Sequence, residues 1–163
     1  MNDAGVLAYC DGFPLDRFKP GDVLIPEGPG LDRMYVLAAG EVEVIRGETQ
    51  VADIAIPGAV FGEIAALLGG AHTATVRAVT DVTAFRIESA RATLLEHKEL
   101  SFHVSTILAR RLTDATIYLA DLKRQFADRT DHLGMVDQVL DTLVQRQRPA
   151  VTAGSTLKSD SRL

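Results

Sequence analysis

The stretch Phe61-Gly62-Glu63-Ile64-Ala65-Ala66-Leu67-Leu68-Gly69-Gly70-Ala71-His72-Thr73-Ala74-Thr75-Val76-Arg77-Ala78 decides how this chain is read. Gly62 permits a close backbone approach that a side chain would block. Glu63 to Leu68 reads as a helical turn or two opened by an acid, and Gly69-Gly70 ends it. Thr73 to Ala78 alternates β-branched and small residues, a strand signal. A glycine, a short helix and a strand in that order gather unpaired backbone N–H groups at one place, which makes an anion pocket. A carboxylate within an anion pocket is in place when the ligand also carries a hydroxyl. A sugar phosphate carries both.

These residues resemble the phosphate-binding cassette of cyclic-nucleotide-binding domains. That family's pattern is Phe-Gly-Glu-(Leu/Ile)-Ala-Leu, a short interval, then Pro-Arg-(Ser/Thr/Ala)-Ala-x-Val. Phe61 to Ala65 match it, and so do Thr73, Ala74 and Val76. His72 stands where the family has arginine, and Ala71 where it has proline. The resemblance runs from Phe13 to Phe126. It implies a ligand, cyclic AMP or cyclic GMP, held at Phe61, Gly62, Glu63, Ile64, Ala65, His72, Thr73, Ala74 and Thr116.

Composition narrows the alternatives. The chain has 163 residues, 47% of them apolar, which supports one core plus an extra element. The net charge of −5, without a long Lys/Arg run, disfavours a nucleic-acid coat. A single cysteine, Cys10, allows no internal disulfide and suits a reducing cytoplasm. Met1-Asn2-Asp3 opens no signal peptide, and the uncharged stretch through the cassette is too rich in Gly and Thr to span a bilayer. The four histidines lie in different elements without metal-ligand spacing, and no nucleophile-elbow or Walker motif occurs. We expect no metal, no membrane and no enzymatic activity.

Upstream of the cassette, short strand-like pieces alternate with turns. Phe18-Lys19-Pro20-Gly21-Asp22 is a turn, and Val23 to Ile25, Met34 to Ala38, Gly40 to Ile45 and Val51 to Ile56 are strands. Thr73 to Val79 and Val82 to Ile87 close the set. Turns this frequent imply a jelly-roll-like β-roll. Ser89 reads as the N-cap of a short helix over Arg91 to Glu96. From about Ser101 a long helix carries Leu108, Leu112, Ala115, Leu119, Leu122 and Phe126 in alternating steps of four and three, a heptad seam. The first turns of that seam are expected on the roll and the later ones on a second subunit; in the family this is the dimer helix. Leu133, Val136, Leu140 and Leu143 resume the rhythm after a break over residues 127–132, and the chain there is either one long helix or a kinked pair.

The fold class expected is α+β, a β-roll followed by a C-terminal helical region with a long dimerisation helix. Its divisions would be 1–98 for the roll, 99–148 for the helices, and 149–163 for a Ser/Thr/Gly-rich disordered tail. The family's longer helical lead-in has no match before Phe13, and its DNA-reading domain has none after the long helix, so direct DNA binding is not expected.

Individual residues keep two readings. Glu63 either hydrogen-bonds a ribose 2′-hydroxyl or serves the helix N-terminus, where a carboxylate is favourable. Gly62, Ile64 and Ala65 either offer N–H groups to phosphate oxygens or simply pack. Thr73 is a phosphate or base contact or an ordinary strand residue, and Thr116 reads first as a surface threonine. His72 is either a weaker, titratable donor to phosphate or the mark of a domain that has lost its ligand. Arg77 reads as solvent-facing. Function divides in the same way: a cyclic-nucleotide sensor acting on a downstream protein, or a ligand-free dimerisation or adaptor module.

Overall fold

The computed structural model describes the backbone of residues 3–125 and 130–145, with side chains over 5–125 and 135–143. Two compact units divide at Ala109 and Arg110.

The first unit begins with a 3-10 turn over Asp3–Tyr9, followed by strands β1 (Leu15–Phe18), β2 (Val23–Ile25), β3 (Arg33–Ala39), β4 (Val42–Arg46), β5 (Thr49–Ile54) and β6 (Val60–Phe61). Helix α1 (Glu63–Leu68) interrupts the strands, and β7 (Thr75–Ala78) and β8 (Val82–Glu88) complete them. They form two four-stranded antiparallel sheets, ordered β1-β8-β3-β6 and β2-β7-β4-β5. This is the β-roll expected. The turn glycines Gly21, Gly28, Gly40 and Gly58 all take positive φ, as turn formers should.

Strand β3 is apolar on both faces, so it is buried on both. Tyr35 and Leu37 point between the sheets, into a cluster with Leu24, Val42, Phe61, Val76, Val82 and Ala84. Met34 and Val36 point the other way, against Val6, Cys10, Ile87, Leu94, Leu100 and Val104. That second cluster is the helical side of the unit, supplied by α2 (Ala90–Glu96) and the start of α3 (Lys98–Gln125). At roughly 1.5–3 kcal/mol per fully buried large apolar side chain, these two layers are the main favourable contribution to folding.

Two expectations need correction. Ser89 occupies the N-cap position of α2, yet its backbone is left-handed (φ 48°) and its side chain makes no capping bond. Asp32, in the β2–β3 loop, does that work: its carboxylate oxygens accept the Arg91 N–H at 3.2 and 3.3 Å, and its carbonyl accepts the Ala90 N–H. A cap supplied from a loop distant in sequence is invisible to local pattern. The long helix also starts at Lys98 rather than Ser101. Its first turn is anchored by apolar Leu100 and by His103, whose Nε2 lies 3.2 Å from the Gly58 carbonyl oxygen.

The second unit holds the remainder of α3 and helix α4 (Thr130–Gln145). A Lys123–Asp137 ion pair joins the two helices. Seam positions Leu119 and Leu122 are half-buried, and Leu112 and Ala115 are exposed. On α4, Val136, Leu140 and Leu143 are half-buried while Met135 and Val139 are exposed. Phe126, residues 127–129 of the expected break, and the tail over 149–163 lie outside the described residues. No helix among the described residues is long and apolar enough to cross a membrane.

Candidate functional site

Gly62 sets the geometry of the cassette. Its φ is +87°, and an added Cβ would sit 2.6 Å from the Arg33 carbonyl oxygen and 3.2 Å from the Met34 Cα. Both neighbours are backbone, so neither yields, and only glycine fits. The chain therefore turns sharply off β6 and starts α1 directly against the first residues of β3. Ala66 donates the first helical bond, to the Gly62 carbonyl. The N–H groups of Ile64 and Ala65 precede it, with no carbonyl one turn back in the helix to accept them. Gly69, also left-handed, closes α1 by donating to the Ala65 carbonyl, so the sequence reading of this short helix and its stop agrees with the structure.

The predicted site residues fall into three groups. Phe61, Gly62, Glu63, Ile64 and Ala65 lie consecutively across the β6–α1 corner. Phe61 is a core side chain between the sheets, paired in register with Tyr35. Glu63, only 3% exposed, is the first residue of α1, where the helix dipole favours its carboxylate. Ile64 is partly exposed and Ala65 half-buried.

The second group is His72, Thr73 and Ala74, just before β7. His72 is buried, and its backbone exchanges two 2.9 Å hydrogen bonds with Gly28. Its ring Nε2 donates to the Leu31 carbonyl at 3.2 Å, and the ring presses on Gly30, where a Cβ would come within 2.9 Å of it. A carbonyl oxygen only accepts, so this bond places the proton on Nε2. The one N–H of a neutral His72 is then committed to the protein, and Nδ1 carries a lone pair. Thr73 is exposed and Ala74 half-buried. Thr75, not singled out from sequence, ties the cassette to the β2–β3 loop by accepting the Glu27 N–H at 3.0 Å.

The third group is Thr116 alone. It belongs to the second compact unit, and its hydroxyl donates to the Leu112 carbonyl one turn back. Arg77 pairs with Glu43 across the β7–β4 register at 2.7 Å, in agreement with a surface role.

An open pocket of about 250 Å³ lies beside His72, lined also by Leu24, Ile25, Pro26, Gly30, Leu31 and Arg33. Arg33 was not foreseen. It heads a polar row on the roll-facing side of β3 and β8. Arg33 Nη2 donates to Glu88 Oε1 at 2.6 Å, Arg86 Nε stands 3.3 Å from the same oxygen, and Arg86 Nη1 donates to Asp16 at 3.1 Å. The Tyr35 hydroxyl completes the row by donating to Asp16 at 3.2 Å. The hydrogen bond to Glu88 pushes the Arg33 guanidinium further up, and burial, with the Asp16 carboxylate adding to it, raises the Tyr35 phenol. The sequence signal for Arg33 was a lone charge opening an apolar strand. No group of three or more His, Cys, Asp and Glu among the described residues is placed to hold a metal ion.

Comparison with known proteins agrees with this architecture. Residues 15–95 match the family described as the cyclic nucleotide-binding domain. The chain belongs to that family. It is 31% identical over 139 residues to the CRP-like cAMP-activated global transcriptional regulator of Mycobacterium tuberculosis, which covers 82% of this chain and 59% of the regulator. The chain thus spans about three fifths of that relative. It is 39% identical over 72 residues to a cAMP-dependent protein kinase regulatory subunit of Hypocrea atroviridis, covering 44% of this chain and 15% of that one. Among solved structures, the Thermus thermophilus Catabolite Activator Protein superposes with a TM-score of 0.59 at 25% identity, over 72% of this chain and 58% of that one. The regulatory subunit of a cAMP-independent protein kinase A from Trypanosoma brucei gives 0.52 at 27% identity, over 62% and 35%. A cAMP-activated regulator and the regulatory subunit of a cAMP-independent kinase are therefore both similar to this chain.

Proposed function

We propose that this chain is a cyclic-nucleotide-sensing regulatory module, not an enzyme, that binds cyclic AMP or cyclic GMP in the cytoplasm. The observation that carries the reading is the Gly62–Glu63 corner: a glycine no other residue can replace, followed by a buried carboxylate at the head of α1. Glu63 would accept from the ribose 2′-hydroxyl, and the Ile64 and Ala65 N–H groups would meet the cyclic phosphate. Phe61, Ala74 and Thr73 would shape the edge of the pocket. Homodimerisation through α3 would carry the response to a downstream protein partner.

A ligand-free adaptor is the second reading, favoured by the His72 ring donor being held by Leu31 instead of aimed at an anion. Isothermal titration calorimetry with cyclic AMP and cyclic GMP separates the two. A ligand at about 100 times its Kd should also add roughly 2.7 kcal/mol of stability in a thermal-shift assay. Absence of heat and of shift at millimolar nucleotide would leave the adaptor reading.

A further inference from the structure

We infer that Arg33 supplies the permanent positive charge for the ligand's phosphate, at a position outside the cassette. The inference rests on the proposed nucleotide binding and names the group that makes it workable with histidine at position 72. The pocket has two cationic candidates, His72 and Arg33. His72 in its neutral form has no donor to spare, since Nε2–H is held by Leu31. Arg33 is charged at every working pH and carries five N–H donors in a planar fork suited to phosphate. Its Nε is buried and has no hydrogen-bond acceptor among the described residues. A buried donor of a charged group without an acceptor is unfavourable, and an anionic oxygen in the pocket would satisfy it.

The backbone places this residue at the cassette itself: the Arg33 carbonyl is the atom that excludes a side chain at Gly62. The row on β3 and β8 also explains how Arg33 can be released. Glu88, its partner, already has Arg86 Nε 3.3 Å from the same oxygen and is about half exposed. When Arg33 turns to a phosphate, Glu88 keeps a cation beside it and regains water. The Glu88 carboxylate is therefore a competitor for the guanidinium, and ligand phosphate displaces it.

Calorimetry of cyclic AMP and cyclic GMP binding to the full chain and three variants tests this. Arg33→Gln should weaken binding about tenfold or more, and Arg33→Lys should fall between it and wild type, since a lysine keeps the charge without the fork. Glu88→Gln should tighten binding by about threefold or more, because the competitor is neutralised while the fold keeps a hydrogen-bonding side chain. A merely structural Arg33–Glu88 bridge would leave affinity unchanged or lower in Glu88→Gln. Wild type binding with both Arg33→Gln and Glu88→Gln unaltered overturns this inference alone; wild type failing to bind overturns the nucleotide reading beneath it. If circular dichroism finds Arg33→Gln unfolded, the sign of the Glu88→Gln change decides.

Discussion

The Asp32 carboxylate accepts the backbone N–H of Arg91 with both its oxygens, at 3.2 and 3.3 Å, so the cap of α2 is delivered by the β2–β3 loop. Arg91 in turn donates from Nη1 to the carbonyls of Ala66 and Leu67 at the end of α1. Asp32→Ala should then cost about 1 kcal/mol, the usual loss for an N-cap. Ser89→Ala, which removes a hydroxyl that caps nothing, should be near neutral. Ser89→Gly should be neutral to stabilising, because a left-handed backbone costs a non-glycine residue roughly 1–2 kcal/mol. Urea denaturation of the three variants checks this, and a larger loss in Ser89→Ala than in Asp32→Ala would contradict it.

Gly62→Ala forces a Cβ against two backbone atoms in a left-handed conformation. Strain of about 1–3 kcal/mol follows, and the β6–α1 corner must shift away from β3. Both the denaturation midpoint and nucleotide binding should fall. Unchanged binding with unchanged stability would mean the corner is not held as described.

Leu119→Glu with Leu122→Glu should convert a dimer to a monomer in light scattering. Leu112 and Ala115 on the same seam are exposed and Leu119 and Leu122 only half-buried in the single chain, so the seam is open to a partner. A wild type already monomeric at tens of micromolar would assign the seam to its own chain.

Cys10 is fully buried in the helical-side core, its Sγ 3.5 Å from the Val6 carbonyl, and burial pushes its thiol up to about 11. A raised folded-state value means the neutral thiol stabilises the fold below its ordinary value and that stability is lost as pH rises through about 9 to 11. Native protein should react slowly with a thiol reagent at pH 8 and rapidly in denaturant. Cys10→Ala should lose the part of the alkaline destabilisation that falls in that window.

Much of this protein was legible in residue order alone. Alternation within strands, glycine and proline at turns, the Phe61–Ala65 run and the heptad steps of α3 are properties of neighbours a few positions apart, so they specify elements, their sequence and the cassette's short helix with its Gly69 stop. What needed the tertiary structure is everything that couples distant segments. The cap of α2 comes from Asp32, the lone donor of neutral His72 is spent on Leu31, and the pocket's permanent cation opens β3 at Arg33. Each depends on the β2–β3 loop lying beside both the cassette and α2, an arrangement set by sheet pairing between strands dozens of residues apart. Local pattern carries periodicity and turn chemistry; which carbonyl meets the His72 ring, and which carboxylate lies beside the Arg33 guanidinium, is decided only by pairing between segments far apart in sequence.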